Sequence, residues 1–444
     1  MVSKSDWQSE YKKRLCSADA VASKLRDGER LMLPTLAGQP PAILAAMGER
    51  LRAGTMARIR AGTILPGPAV GDTLLLPEYA DRFQWDTLFC GGSDRAGVYE
   101  GLYDMTPMHF GQMPKIMRDD MEVGAVLTLV SPPDSEGYMS VGISIDYTRS
   151  LIDTARFAAV EVNSNVPNVF GDCRVHVSEV DAIVENESDI FELANPPVTA
   201  EDQKIGAFIA ERIPNGATIQ LGFGAAPSAV GLSLRGHKHL GIHTEMFVDA
   251  MRVLMREGVV DNSEKSIHLG KTLYTFAAGT RETYDFLHEN PAIEGHRVEY
   301  TNDVSVIAQH KGMVSINATI AVDLTGQACS ESIGSRQYSG TGGQVDFVRG
   351  AMMAEGGRSF LVTHATAKNG DLSCIVGDLA PGSVVTTART DVDMVVTEYG
   401  VAELRGRSLR ERAQALIAIA HPKFRDGLQE EAGKKGLGPK PLAG

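Results

Sequence analysis

Cysteine is scarce in this chain of 444 residues: Cys16, Cys90, Cys173, Cys329 and Cys374 are odd in number and never fall at C-x-x-C spacing. That pattern argues against a disulfide framework or a zinc site, and the five read as reduced thiols, mostly packed. Long apolar runs are missing too. Nothing approaches the roughly 18 residues of a membrane span, and Met1–Glu10 lacks the apolar core of a signal peptide, so a cytoplasmic protein is expected. Basic clusters are absent as well: 43 Lys and Arg face 56 Asp and Glu, a formal charge of -13. Nucleic acid and anionic membranes are therefore poor partners. What remains is an ordinary composition with 43% hydrophobic residues, enough for two or three domains with buried cores.

Short β-branched runs alternate with helical patterns, the mark of an α/β protein with mainly parallel sheets flanked by helices. Ala125–Val130 and Ala158–Val162 are apolar almost throughout, as strands buried on both faces are, and each is followed by a turn rich in Pro, Asn or Gly. Between Glu185 and Glu201 an acidic, polar stretch with a Pro pair reads as a linker. The boundaries that follow are an amino-terminal α/β domain at 1–190, a carboxy-terminal one at 191–432, and a loose Lys/Gly/Pro tail at 433–444. In the second block we expect a helix over 202–213 and strands near 217–221, 304–308, 313–316, 321–324, 360–363 and 394–397. Two similar α/β layers would leave a cleft at their strand ends, where open sheets bind ligands.

Three segments carry chemistry. Glu245, in Leu240-Gly-Ile-His-Thr-Glu245, is a carboxylate at a strand-to-helix junction; two glycine-rich loops, Gly222-Phe-Gly-Ala-Ala-Pro227 and Ser339-Gly-Thr-Gly-Gly-Gln344, flank it in sequence. A carboxylate can act as a covalent nucleophile in acyl transfer, and glycine turns let backbone N–H groups hold a developing oxyanion. Each segment also has a plainer reading. Thr244 could cap a helix over 246–257 with Glu245 in its first turn, Gly222-x-Gly224 could be a structural turn, and the second loop could be a hairpin with an Asp346–Arg349 pair. The first loop also looks like an incomplete dinucleotide fingerprint, which keeps an oxidoreductase open.

Longer strings add a resemblance. Gly241-Ile-His-Thr-Glu245, Gly222-Phe-Gly-Ala-Ala-Pro227, Ser330-Glu-Ser-Ile-Gly334, the run from Ser339 to Ala351, Val395-Val-Thr-Glu-Tyr-Gly400 and Ala418-Ile-Ala-His-Pro422 resemble the acetyl-CoA hydrolase/transferase family. Within it, the 4-hydroxybutyrate and butyryl-CoA:acetate CoA-transferases resemble it most. Ser131-Pro-Pro-Asp134, Asp146-Tyr-Thr148, Glu161-Val-Asn163 and Val175–Asp181 match in the amino-terminal half. The resemblance implies two CoA-transferase domains with an interdomain active site, Glu245 as nucleophile and oxyanion-binding amides at Ala225 and Gly343. It implies CoA contacts at Gly222, Gly224, Gly340, Gly342, Gly343, Gln344, Asp346 and Phe347.

The reaction implied is CoA transfer from an acyl-CoA to a small carboxylate through an acyl-glutamyl anhydride and a glutamyl-CoA thioester, with ping-pong kinetics. It needs no metal and no cofactor beyond the substrate CoA. Gln39, His109 and His243 are assigned to the acyl pocket. The early loop Leu33-Pro-Thr-Leu-Ala37 and the segment Tyr300–Asp303 depart from the family pattern, so the acyl group stays open: butyryl, 4-hydroxybutyryl, acetyl, succinyl or itaconyl. A thioesterase using the same site and a non-catalytic CoA-binding protein are the other readings. A homodimer or higher even oligomer is expected.

Overall fold

The computed structural model describes residues 7–194 and 196–439. Its contacts separate two compact units: Met1–Ala194 with Glu245–Asp249 and Thr272–Thr301, and Asn195–Thr244 with Ala250–Lys271 and Asn302–Gly444. The units are not contiguous in sequence, unlike the blocks 1–190 and 191–432: two short segments from beyond residue 191, one beginning at Glu245, belong to the first unit.

The first unit holds a seven-stranded, wholly parallel sheet. Its strands are β1 (Arg30–Met32), β2 (Ile59–Ile64), β3 (Phe83–Phe89), β4 (Asp104–Met105), β5 (Ala125–Val130), β6 (Phe157–Val162) and β7 (Ala182–Glu185), in spatial order β7-β6-β5-β1-β2-β3-β4. β5 and β6 are buried at every position, as their apolar sequences demand of strands covered on both faces. The helix Pro41–Arg52 buries Ile43, Leu44, Met47 and Leu51, a stripe at helical spacing, and starts with Pro where no N–H is needed. Gly48 lets this helix approach Pro68–Thr73: a Cβ there would lie 2.9 Å from the Thr73 carbonyl oxygen.

The second unit holds a six-stranded sheet of β8 (Thr218–Leu221), β9 (Gly241–Ile242), β10 (Met313–Ala318), β11 (Arg358–Val362), β12 (Met394–Thr397) and β13 (Gly400–Glu403), ordered β9-β8-β10-β11-β12-β13. All pairings are parallel except the last, a hairpin that turns at Gly400 with φ 139. In both units parallel strands send their carboxyl ends, and the loops that follow, to one edge of the sheet.

Three local expectations are corrected. Val304–Ile307 is a helix, because the Asp303 carboxylate accepts from the N–H groups of Ser305 and Val306 and so caps a β-branched run that would suit a strand. The helix expected over 246–257 spans Asp249–Arg256, since Met246 and Phe247 pair with Phe276 and Ala277; Thr244 is not its cap. The segment expected as a loose tail is docked as far as it is described. Its helix runs to Lys434, Arg410 donates to the Gly436 carbonyl at 2.7 Å and also to that of Gly438, and Leu437 packs on the core; residues 440–444 lie outside the described residues. No described helix is long and apolar enough to cross a membrane. No disulfide joins the five cysteines, of which Cys16 is partly exposed and the other four are buried.

Candidate active site

Glu245 occupies a half-exposed bend just before the short strand Met246–Phe247. Its carbonyl accepts from the Thr275 and Phe276 N–H groups at 3.0 and 3.1 Å, so the backbone that carries the carboxylate is fixed. Phe276 also faces Ser144 across an antiparallel bridge. From Ser144 the network reaches the loop after β1. Ser144 Oγ donates to the Thr35 carbonyl at 2.6 Å, the Thr35 N–H donates to Asp146 Oδ2 at 3.0 Å, and the Tyr147 hydroxyl donates to the Leu33 carbonyl at 2.6 Å. Leu36 takes φ 43 there, a strained value for a leucine that these anchors hold in place. Burial pushes the Asp146 carboxyl above the usual carboxylate range, against the Thr148 and Thr35 donors that pull it down.

Gln39 closes the same loop. Its amide nitrogen donates to the Pro34 carbonyl at 3.0 Å and its oxygen accepts from the Gly67 N–H at 2.9 Å, with 4% of the residue exposed. Both ends of the amide are engaged, so Gln39 braces the loop. His109 precedes Phe110, whose ring packs edge-on against Phe276 at 6.0 Å and Tyr147 at 6.4 Å; His109 Nδ1 is buried with no hydrogen-bond partner among the described residues. Within the first unit, the structure thus links the Gln39 loop, the His109–Phe110 turn and Glu245 through Ser144, Tyr147 and Phe276.

His243 is not with them. It is fully buried in the second unit, its ring 4.7 Å from His310 and 6.1 Å from Phe347. Burial first, then the Lys265 and His268 charges, hold His310 down at about 3, so this imidazole is neutral at any ordinary pH. His243 is a packed histidine at the end of β9.

Both glycine loops belong to the second unit. The first leaves β8, and the Gly222 N–H donates to the Ile316 carbonyl at 2.9 Å; a Cβ on Gly222 would stand only 3.3 Å from that oxygen. Gly224, at φ 126 and ψ 177, then turns the chain into the helix Ala225–Ser233. That conformation belongs to glycine, and it leaves Ala225 as the first residue of a helix whose leading N–H groups lack acceptors inside the helix. Beneath the loop, Gln220 and Asn317 exchange amide hydrogen bonds, both 3.1 Å, between β8 and β10.

The second loop is held from within. Glu331 accepts through its backbone carbonyl from the Tyr338 and Ser339 N–H groups and through its carboxylate from Gln337 and Thr341. Gly340, Gly342 (φ 54) and Gly343 follow, and Gly343 starts the helix Gln344–Met353. The Gln344 amide nitrogen donates to Ser330 Oγ at 2.9 Å and Thr387 Oγ1 at 2.8 Å, so its donors brace the loop. Asp346 accepts from Asn302 at 3.3 Å and is 7% exposed; Phe347, 1% exposed, packs with Ile307, Met313 and Ala351. Phe347 is therefore part of the core of the second unit. Arg349 pairs with Asp391, so the Asp346–Arg349 pair does not form. Glu331, Thr387, Gln220, Asn317 and Asp146 were not singled out as individual site residues; the one visible signal was a glutamine inside the buried run of β8.

Each unit is thus an α/β layer built on a largely parallel sheet, with Glu245 on a fixed bend in the first and glycine turns leading into helix starts in the second. Residues 1–193 match the acetyl-CoA hydrolase/transferase N-terminal domain and 279–432 the C-terminal domain of the same name. The succinyl-CoA:cyclohexane-1-carboxylate CoA transferase of Geobacter metallireducens is 42% identical, covering 97% of each chain. The 4-hydroxybutyrate coenzyme A transferase of Clostridium kluyveri is 41% identical over 97% of this chain and 100% of its own. The crystal structure of RipA from Yersinia pestis matches with a TM-score of 0.94 at 38% identity, over 97% of this chain and 100% of that one. The chain belongs to the acetyl-CoA hydrolase/transferase family and is an enzyme of the CoA-transferase kind.

Proposed function

We propose that this enzyme moves CoA from a short-chain or dicarboxylic acyl-CoA to a small carboxylate, with Glu245 as the covalent nucleophile. The Glu245 carboxylate attacks the thioester carbonyl, the C–S bond breaks, and an acyl-glutamyl anhydride and a CoA thiolate result. The thiolate attacks the glutamyl carbonyl of the anhydride, releasing the donor acid as its carboxylate and leaving a glutamyl-CoA thioester. An acceptor carboxylate attacks that thioester and the sequence runs in reverse, so charge and atoms balance without a metal or a nucleotide. Amides at Ala225 and Gly343 serve the two oxyanions, each donor being worth about 100-fold to 1,000-fold in rate. The observation that carries this reading is the Glu245 bend, a partly buried carboxylate residue whose backbone is fixed by two hydrogen bonds. The succinyl-CoA and 4-hydroxybutyrate specificities named for the two relatives supply the substrate classes. We place the enzyme in the cytoplasm, as a homodimer or a higher even oligomer.

Intact-protein mass spectrometry after incubation with acetyl-, butyryl- or succinyl-CoA and no acceptor tests this. A CoA-sized adduct on Glu245 that disappears with hydroxylamine is expected. Acyl-CoA hydrolysed equally by wild type and Glu245→Ala, with no adduct, would sink the nucleophile assignment. Loss of acyl-CoA without acceptor that does depend on Glu245 would favour a hydrolase.

A further inference from the structure

At the amino ends of the first unit's strands, opposite the edge that carries the Gln39 loop, lies a hollow of about 530 Å³ that the transfer reaction does not use. Its floor is built. Glu29 is 7% exposed at its side chain and takes Arg156 on both oxygens, each at 2.8 Å, as well as the Arg26 N–H at 2.9 Å. Gly124 makes room for it: a Cβ there would lie 2.7 Å from Glu29 Oε1. Asp27 is likewise engaged, by Arg58 at 2.9, 3.0 and 3.3 Å.

With those two carboxylates occupied, Arg26, Arg30 and Arg60 line the hollow and pair with no carboxylate among the described residues. Arg30 and Arg60 are moreover direct neighbours in the β1–β2 register. Like charges side by side on adjacent strands repel. Burial first, and then Arg60, hold the Arg30 guanidinium below its usual range, with Asp86 pulling weakly the other way. Such a pair is relieved by an anion that both planar forks can grip. Asp120 and Glu122 also line the hollow, so an anion must be held by the arginine forks against their charge.

We propose that this arginine-lined hollow binds a small polyanion, phosphate-bearing or polycarboxylate, at a site separate from the transfer chemistry. The ligand would press on β1, a strand of only three residues whose next residues, Leu33–Gln39, are the loop held by Ser144, Asp146 and Tyr147. Occupancy would therefore be felt in acyl-CoA turnover.

Isothermal titration calorimetry at low chloride with inorganic phosphate, pyrophosphate and citrate, each in saturating CoA, tests it on wild type, Arg60→Gln and Arg30→Gln/Arg60→Gln. One saturable site per chain is expected in wild type, weakened at least ten-fold in both variants, and the tightest probe names the anion class. Arg60 is exposed, so the single variant keeps the comparison valid if the double variant folds poorly. Without anion, Arg60→Gln should melt above wild type because the repulsion is gone, and the probe should raise only the wild-type melting temperature. Absence of saturable binding to wild type, or equal binding to Arg60→Gln, overturns the proposal.

Discussion

The two units use the same strand edge in opposite ways. In the first, the loop after β1 is assembled from side chains: Gln39, Ser144, Asp146 and Tyr147 are buried, their polar atoms bonded to backbone groups. In the second, the loops after β8 and before the helix Gln344–Met353 offer backbone, with Gly222 close to the Ile316 carbonyl and Gly224 and Gly342 at positive φ, where a side chain would clash or distort the turn. A pocket of packed side chains can be shaped for one acyl group, whereas an array of glycine amides holds what all acyl-CoA donors share. Under the proposed function, the packed loop of the first unit would set donor specificity, and the chemistry common to all donors would draw on Glu245 of that unit and the glycine amides of the second.

The largest test of that division is Glu245→Gln, which keeps the shape and removes the nucleophile. Transfer should fall by about 1,000-fold or more for every donor, with binding of CoA little changed. A variant that kept more than a tenth of the activity would separate Glu245 from the chemistry. Next comes Gly224→Ala. At φ 126 and ψ 177 an alanine is strained by on the order of 1–3 kcal/mol, and the helix start at Ala225 must shift. About ten-fold to a hundred-fold loss in kcat/KM is expected, equal for acetyl-, butyryl- and succinyl-CoA. A loss confined to one donor would break the comparison.

Gln39→Ala should behave differently. It leaves the Gly67 N–H without its partner and the Pro34 carbonyl with the Thr63 hydroxyl alone, at a cost of about 1–3 kcal/mol in stability. Because the loop then relaxes, relative kcat/KM among donors should change several-fold while Glu245 adduct formation persists. Thermal melting and a donor panel measure both; an unchanged panel would place specificity elsewhere.

The strands at 125–130 and 158–162 were legible because a strand covered on both faces must be apolar throughout. The glycine loops were legible for a similar reason, since few residues tolerate those backbone angles. What escaped was whatever depends on contacts far along the chain. Nothing near residue 39 says that its amide will reach Gly67, and nothing in Val304–Ile307 says that Asp303 will win it for a helix. The burial of His243 and Phe347 was equally out of reach of local pattern. Motif neighbours of catalytic residues can be the packing that holds them, and here both are buried against each other. The membership of Glu245 in the first unit was also beyond local pattern, because it rests on hydrogen bonds from Thr275 and Phe276 thirty residues on.

The smallest expected effect concerns Glu161, and it probes the scaffold alone. This fully buried carboxylate takes the place of an N-cap for the helix after the Gln39 loop, accepting from the Ala42 and Ile43 N–H groups at 3.2 and 3.0 Å and from the Asn186 amide at 2.8 Å. Burial nevertheless raises it above the usual carboxylate range, more than those three donors lower it. A carboxyl raised on folding favours the native state most when protonated. Its stabilising contribution is complete below the unfolded value of about 4.3 and fades as pH rises through the higher folded value. Glu161→Gln cannot titrate, so wild type should gain stability relative to the variant as pH falls across that window, by about 1.4 kcal/mol per unit of difference between the two values. At neutral pH the variant should lose about 1 kcal/mol through its mismatched amide hydrogens, with no change in donor preference. Urea melts of both proteins from pH 4 to pH 8 measure this. Parallel curves would mean that the helix start keeps Glu161 at its ordinary value, and that the side-chain scaffold of the first unit is better solvated than its burial implies.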